Sequence, residues 1–441
     1  MTTTLTFRKI FRLWIPLEAT WLMMAVEGPF IAALIARLAE PKYNLAAYGV
    51  AFSFALILEA PVIMIMSAAT SLVRNGEAFR RLRIFTYWIN GTTTLVMVLF
   101  LIPPVFDAIS IGLIGLTPKV AGLTHHALLL LLPWPGAIGY RRFYHGLLIR
   151  NHKTRRIAYG TIVRLVSMLS VGVLLYSLTR LDGALVGALA LSSGVVMEAI
   201  ATRIMVADCI RRVKDIPVDE QDGELSYRWI FSFYYPLALT SLMGLGVHPM
   251  VTFFVGQSHA ALESLAVMPV IAGLAFIFRA TGLSYQEVAI ALMGDNYEGY
   301  VALRRFALLL GGMASALLML IAFTPLSDIW FQRISGLPED LAHFAHLPTQ
   351  IISIIPFFAV WLSFQRSLMV TAHKTRFVTV ATGLEVAGII IVLFLLIRFS
   401  EMTGATAAML AFIIGRLISI SYFEIIRRML LGGILGKVAR V

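Results

Sequence analysis

The chain has 441 residues, 59% of them hydrophobic and only 14% charged, a balance that ordinary water-soluble domains do not keep. The formal net charge is +12, but Lys and Arg are spread along the chain rather than gathered in one basic recognition domain, which argues against a nucleic-acid partner. The single cysteine, Cys209, excludes a disulfide framework.

Near the N-terminus, Arg8, Lys9 and Arg12 precede an apolar run that is too long for a signal peptide and contains Glu18 and Glu27. It reads as a retained first helix. Hydropathy predicts further spans at Asn44 to Val73, Ile84 to Val105, Gly122 to Ile149, Ala158 to Leu178 and Leu185 to Val206, after a first span from Leu13 to Leu38. A second set follows at Phe231 to Gly256, Ser264 to Met293, Arg304 to Thr324, His346 to Val370, Phe377 to Ile397 and Ala405 to Ile426. With roughly 20 apolar residues needed per crossing, about twelve transmembrane helices are expected, and no soluble catalytic domain.

Sliding the sequence along itself gives an internal repeat. At an offset of 220, Phe11 meets Phe231, Pro16 meets Pro236, Met23 meets Met243 and Pro29 meets Pro249. One residue of slippage later, Asp107 meets Asp328, Pro135 meets Pro356 and Gly194 meets Gly415. The tetrad from His152 to Arg155 recurs from His373 to Arg376. The expected domains are therefore a six-helix bundle over 1–206, a polar cytoplasmic linker over 207–230 carrying Asp215, Asp219, Glu220, Asp222 and Glu224, and a second six-helix bundle over 231–441. Six is an even number, so both halves share one orientation, the parallel-repeat plan of secondary transporters. Arg74, Arg80, Arg81, Arg83, Arg150, Lys153, Arg211, Arg212, Arg427 and Arg428 fall in inner loops if the N-terminus is inside, which places both termini in the cytoplasm.

The stretches Ala47-Tyr48-Gly49-Val50-Ala51, His145-Gly146-Leu147-Leu148, Tyr235-Pro236-Leu237-Ala238-Leu239, His248-Pro249-Met250-Val251 and Phe253-Phe254-Val255 resemble the progressive ankylosis family of the multidrug/oligosaccharidyl-lipid/polysaccharide exporter superfamily. The resemblance runs in helix order over nearly the whole chain. It implies an all-α, MATE-like polytopic membrane protein with two repeated six-helix bundles that exports anions such as pyrophosphate, citrate or nucleotides. The long polar C-terminal tail of animal members is missing, so substrate identity does not carry over. The economy of the loops points to a bacterial inner membrane.

Charged residues inside spans cost about 2.5 to 3.5 kcal/mol each on insertion scales and face a cavity or a partner. The cations here are all arginines: Arg141, Arg142, Arg164, Arg203, Arg279, Arg366 and Arg416. The acids are Glu18, Glu27, Glu59, Glu198, Glu287, Glu385 and Glu424. Arginine without lysine suits planar, bidentate recognition of carboxylate or phosphate, and it suits permanent ion pairs equally. Arg141, Arg142 and His145 lie three and four residues apart and share one side of the fourth helix; with Arg279 and Arg366 they form the expected substrate-binding set.

The repeat aligns Glu59 with Arg279 and Arg164 with Glu385, so charges swap across the pseudo-twofold, and a Glu59–Arg279 pair across the cleft is expected. Glu27, Glu59, Arg164 and Glu385 are the candidate ion-coupling or gating residues, with protons or sodium as the coupling ion. Glu18 and Glu27 are nine residues apart, about 180° round a straight helix, and share a cavity only if that helix bends. Arg203 and Glu424, close to the inner boundary, are expected to snorkel. Neither the histidine tetrads nor His125-His126 have a companion ligand set for a metal, and no Gly-rich phosphate loop is present, so no metal or cofactor is expected. The function expected from the sequence is secondary active export of a small organic or phosphate-containing anion by alternating access. The alternatives are a flippase for a lipid-linked pyrophosphate or oligosaccharide, a proton- or sodium-coupled drug antiporter, and a non-transporting envelope scaffold.

Overall fold

A computed structural model describes residues 5–151, 153–217, 226–294, 296–372, 374 and 376–438. The expected linker acids Asp219, Glu220, Asp222 and Glu224, and His152 and His373 of the tetrads, lie outside the described residues.

The first span is two helices, α1 (Phe7–Ala25) and α2 (Glu27–Ala36), interrupted at Val26. The break falls one turn before Pro29, which has no N–H to give to the carbonyl of Ala25. The second span, α3 (Pro41–Ile63) and α4 (Ile65–Leu72), is followed by α5 (Gly76–Phe100), whose first turn is capped by the Asn75 side chain accepting from the Ala78 N–H at 2.9 Å. Then come α6 (Pro103–Asp107), α7 (Pro118–Leu130), α8 (Trp134–Arg150), α9 (Arg155–Leu178), α10 (Gly183–Met205) and the short α11 (Ala207–Lys214). The second half contains α12 (Tyr227–Gly256), α13 (Ala261–Leu292), α14 (Tyr300–Ala322), α15 (Leu326–Asp328), α16 (Glu339–Ile352), α17 (Ile355–Thr371), α18 (Arg376–Phe399) and α19 (Gly404–Val438).

The repeat read from residue identities is also written in the backbone. Glu40 and Ala260, 220 apart, both take the left-handed conformation at φ 51° just before α3 and α13. Gly115 and Gly336, 221 apart, have φ of 83° and 73°. Wide π-helical turns at Ala108–Leu113 and Ile329–Ile334 stand at the same spacing. A non-glycine residue held at positive φ is costly, so its recurrence at the repeat spacing shows that both halves use the same turn into their second helix.

Among the described residues ten helices are long and apolar enough to cross a membrane, or eleven if α5 and the segment Pro103–Leu113, bent by 77°, count as one span. The fourth of the twelve expected spans exists as α7 and α8, of 13 and 17 residues. At 1.5 Å per residue neither reaches across a hydrocarbon core of about 30 Å alone. The break sits at Pro133, and α8 carries Arg141, Arg142 and His145.

Two compact units emerge, but they do not follow the expected division into 1–206 and 231–441: one comprises residues 37–256, the other 1–36 together with 257–441. The first helix of each half packs with the other half's helices, α1 against α13 and α12 against α3. Residues at equivalent repeat positions tie these contacts. Trp14 donates its indole N–H to the Ser284 hydroxyl at 2.7 Å, and Tyr234, 220 residues later, donates its hydroxyl to the Pro61 carbonyl. Both aromatic rings carry one polar group that demands a partner when buried. In the 1–36/257–441 unit the core gathers Ile10 with Tyr285, Leu303, Val360, Phe364 and Phe423. In the 37–256 unit, α11 buries Cys209, Ile210 and Val213, and Lys153 in the α8–α9 turn and Arg156 in the first turn of α9 both engage Asp208. Those hydrogen bonds hold the Asp208 carboxyl well below the usual carboxylate range.

Candidate functional site

Each unit encloses a carboxylate ringed by arginines. In the 37–256 unit the hub is Glu198 on α10, which is fully buried. Arg141 donates to its Oε2, Arg164 of α9 lies 3.8 Å from the same oxygen, and His145 Nε2 is 4.0 Å from Oε1. The His145 ring also meets the Thr202 hydroxyl at 3.3 Å. A second carboxylate, Glu59 of α3, accepts from the Trp134 indole at 2.5 Å and lies in the fields of Arg142, Arg141 and Arg164. The Trp134 ring stands under the Arg164 guanidinium at 5.9 Å. Arg142 Nη1 approaches the Met66 sulfur at 3.7 Å. The i, i+3, i+4 spacing does put Arg141, Arg142 and His145 into one cluster, which with Arg164 sets three guanidiniums over the carboxylates of Glu59 and Glu198.

In the other unit the hub is Glu385 of α18. Arg416 of α19 reaches it at 3.1 Å and Arg366 of α17 at 3.8 Å. Arg279 of α13 lies in the fields of Arg416 and Glu385, with its guanidinium 5.3 Å from the Phe276 ring centroid. Three guanidiniums share one carboxylate here. Within a low-dielectric interior that excess of cation is costly unless a further anion meets it.

The structure thus groups Arg279 with Arg366, and Arg141 with Arg142 and His145, each group in its own unit. Glu59 and Arg279, expected as a pair, each face charges of their own unit. Arg164 and Glu385, which the repeat aligns, play mirrored parts: Arg164 attends the acid on the next helix, whereas Glu385 receives the arginine on the next helix. Glu27 is buried as the first residue of α2, and the break at Val26 removes the straight-helix geometry that would set it opposite Glu18. Glu18 accepts from the Ser284 hydroxyl at 2.6 Å, extending the Trp14 contact into a chain of two hydrogen bonds.

Sequence reasoning missed the hub role of Glu198, the partner Arg416, and the neutral donors Trp134 and Thr202. A usable signal was the glycine match. Gly194 and Gly415 sit where a Cβ would come 2.9 Å from the Arg164 carbonyl oxygen and 2.8 Å from that of Glu385. They permit the close crossing of α9 with α10 and of α18 with α19 at the charged level. Glu198 lies one turn beyond Gly194 on the same helix face, and Arg416 is adjacent to Gly415. Because the added Cβ would clash with the Glu385 carbonyl oxygen, a backbone atom that cannot rotate away, as well as with the Ile389 side chain, Gly415→Ala should lower the melting temperature of the purified protein by several degrees, as expected for about 1 to 3 kcal/mol of overpacking. Gly312→Ala, inside α14 at a position where an added Cβ meets nothing within 4 Å, should not lower it, since Ala is the better helix former.

Neither a family model nor a curated protein matches the sequence. Solved structures do match the fold. An inward-facing multidrug resistance MATE family transporter of the MOP superfamily superposes with a TM-score of 0.74 at 12% identity, covering 96% of this chain and 98% of that one. The fold is MATE-like. The lipid II flippase MurJ in an inward closed conformation gives 0.66 at 14% identity, covering 93% and 87%. A MOP superfamily transporter from Pyrococcus furiosus, whose binding pocket is described as being of reverse polarity, gives 0.65 at 13% identity over 96% of both chains. At these identities the likeness is one of fold, and the chain is a multi-pass helical membrane protein of that architecture.

Proposed function

We propose that this protein is a secondary transporter that exports a small organic or phosphate-containing anion by alternating access, an activity like that associated with the progressive ankylosis family. The observation that carries this reading is the cluster of Arg279, Arg366 and Arg416 over the single carboxylate of Glu385. A guanidinium fork matches two oxygens of a phosphate or carboxylate at once, and a bound anion supplies a second negative charge beside Glu385 for these three guanidiniums. Arg141, Arg142 and His145 form the corresponding recognition group in the other unit. Glu27, Glu59, Arg164 and Glu385 set the balance of charge that changes between states, with a proton or sodium as the coupling ion. A drug antiporter needs a carboxylate open to a cation. Glu198 and Glu385 instead hold arginines, and Glu59, which with Glu27 would carry that alternative, accepts from the Trp134 indole and lies in the fields of Arg142, Arg141 and Arg164, which argues against it.

Fold likeness to a lipid II flippase supports a second reading, in which the same guanidiniums take the pyrophosphate of a lipid-linked substrate. Proteoliposomes separate the two: the first reading expects flux of labelled pyrophosphate, citrate or nucleotide, and the second expects translocation of a lipid-linked pyrophosphate with no flux of the soluble anions. Selective transport of organic cations would remove both.

In a bacterial inner membrane we place α11 and both termini in the cytoplasm, on the strength of the basic inner loops. Cys209 is fully buried and cannot serve as an accessibility probe, so the test needs Asp215→Cys in a Cys209→Ala background, Asp215 being exposed. An impermeant thiol reagent should label it only after permeabilisation. Labelling in intact cells would invert the orientation.

A further inference from the structure

A second arginine-rich place is not used by the transport reading. Where α13 ends and α14 begins, a cavity of about 460 Å³ opens between α14, α17 and α19. Tyr300 and Arg304 line it from α14, Trp361 and Gln365 from α17, and Arg427 and Arg428 from α19. Glu424, also in its wall, accepts from Arg427 at 2.6 Å and from Arg428 at 2.8 Å. The wall therefore carries three guanidiniums and one carboxylate, of which Arg427 and Arg428 hold Glu424. Arg304 is exposed. Gln365 is only 1% exposed; its Nε2 donates to the Ile420 carbonyl at 3.3 Å, while its Oε1 has no hydrogen-bond partner among the described residues. A buried acceptor left unpaired is costly. The wall thus asks for two things of a ligand: negative charge and a hydroxyl donor.

The internal repeat supplies a control within the same chain. The Tyr300 and Phe364 rings lie 5.7 Å apart, and the Phe79 and Phe143 rings, 221 residues earlier, lie 5.6 Å apart, which fixes the register. In that register Tyr144 stands for Gln365, Tyr140 for Trp361 and Arg83 for Arg304. In the 37–256 unit the Tyr144 ring fills this place, packed on Tyr140 at 4.8 Å with the Arg203 guanidinium over it at 5.7 Å. Arg83 there stacks on Phe79 at 5.2 Å. Exchange of the phenol ring for a shorter amide removes the filler and leaves the arginines facing a cavity.

Apolar surface borders the mouth. Ile425 lines the cavity and is 57% exposed, and Leu308, one turn beyond Arg304, is 40% exposed. On a bundle that spans a membrane such faces meet acyl chains, and basic pockets between helices near the headgroup level take anionic lipid headgroups. We propose that this cavity binds the headgroup of an anionic phospholipid whose phosphodiester carries free hydroxyls, of the phosphatidylglycerol type. The phosphate lies on Arg304, Arg427 and Arg428, and a headgroup hydroxyl donates to Gln365 Oε1. The site is separate from the Glu385 cluster and does not depend on what is transported.

Native mass spectrometry of the full chain in detergent, titrated with phosphatidylglycerol, with phosphatidylcholine of the same acyl chains and with glycerol 3-phosphate, tests it. Phosphatidylglycerol should bind more tightly than phosphatidylcholine. Arg304→Gln should weaken that binding about fivefold, the share of one basic residue, and Gln365→Tyr, which refills the cavity as Tyr144 does, should abolish it. Equal binding of both lipids, or wild-type phosphatidylglycerol binding by a folded Gln365→Tyr protein, overturns the proposal. If that variant fails to fold, unchanged binding by Arg304→Gln, a change at an exposed side chain, overturns it as well. Glycerol 3-phosphate competing at equal concentration assigns the cavity to a soluble phosphate and rejects the lipid.

Discussion

Arg366→Lys should raise the apparent KM for the transported anion by about 10- to 100-fold, the loss expected when a charge-assisted hydrogen bond worth about 1.5 to 3 kcal/mol is given up. The charge survives in this variant, but the planar fork does not. Arg366 is suited to the test because Arg416, at 3.1 Å, holds Glu385 more closely than Arg366 does at 3.8 Å, leaving the Arg366 guanidinium available to a ligand. Arg366→Ala should leave little binding, while Arg416→Ala should instead disturb folding by releasing Glu385. Initial rates in proteoliposomes, with melting temperatures alongside, distinguish the two. Unchanged anion transport by a well-folded Arg366→Ala protein would mean that this arginine is only a structural partner of Glu385.

The second large effect is expected at Glu198. Glu198→Gln keeps the shape but removes the charge that Arg141, Arg164 and His145 share, and breaking a buried pair by deleting one partner costs about 3 to 5 kcal/mol. The purified variant should therefore melt well below wild type. Adding Arg141→Gln removes the stranded cation and should restore part of the loss, a coupling read from the double-mutant cycle. If the double variant is no more stable than the sum of the single changes, Glu198 is not the hub of that cluster.

Much of the architecture was legible in the chain because lipid imposes long apolar helices and because the repeat writes each half twice. Pro29, Gly194 and the α8 residues Arg141, Arg142 and His145 could all be placed from spacing alone. Partner choice was not legible. Nothing local joins Arg141 to Glu198, 57 residues away, and the alignment of Glu59 with Arg279 shows equivalent positions, not neighbours. The exchange of α1 and α12 between the units was hidden for a similar reason. Its ties are Trp14 and Tyr234, different residue types that share only an aromatic ring with one polar hydrogen. The break between α7 and α8 falls at Pro133, inside a stretch that reads as one apolar span from Gly122 to Ile149.

The placement of α1 with residues 257–441 has a consequence for the order of events during synthesis. Residues 37–256 form an uninterrupted stretch and can close on themselves as soon as α12 has left the ribosome. The first helix meets α13 only after more than 220 further residues have been made, roughly 10 to 45 s at ordinary translation rates. Through that interval Trp14 and Glu18 stand in the bilayer without Ser284. A helix made before residues 37–256 is thus packed only after them, and the nascent chain depends on lipid, water or the insertion machinery to shelter a carboxylate until its partner helix arrives.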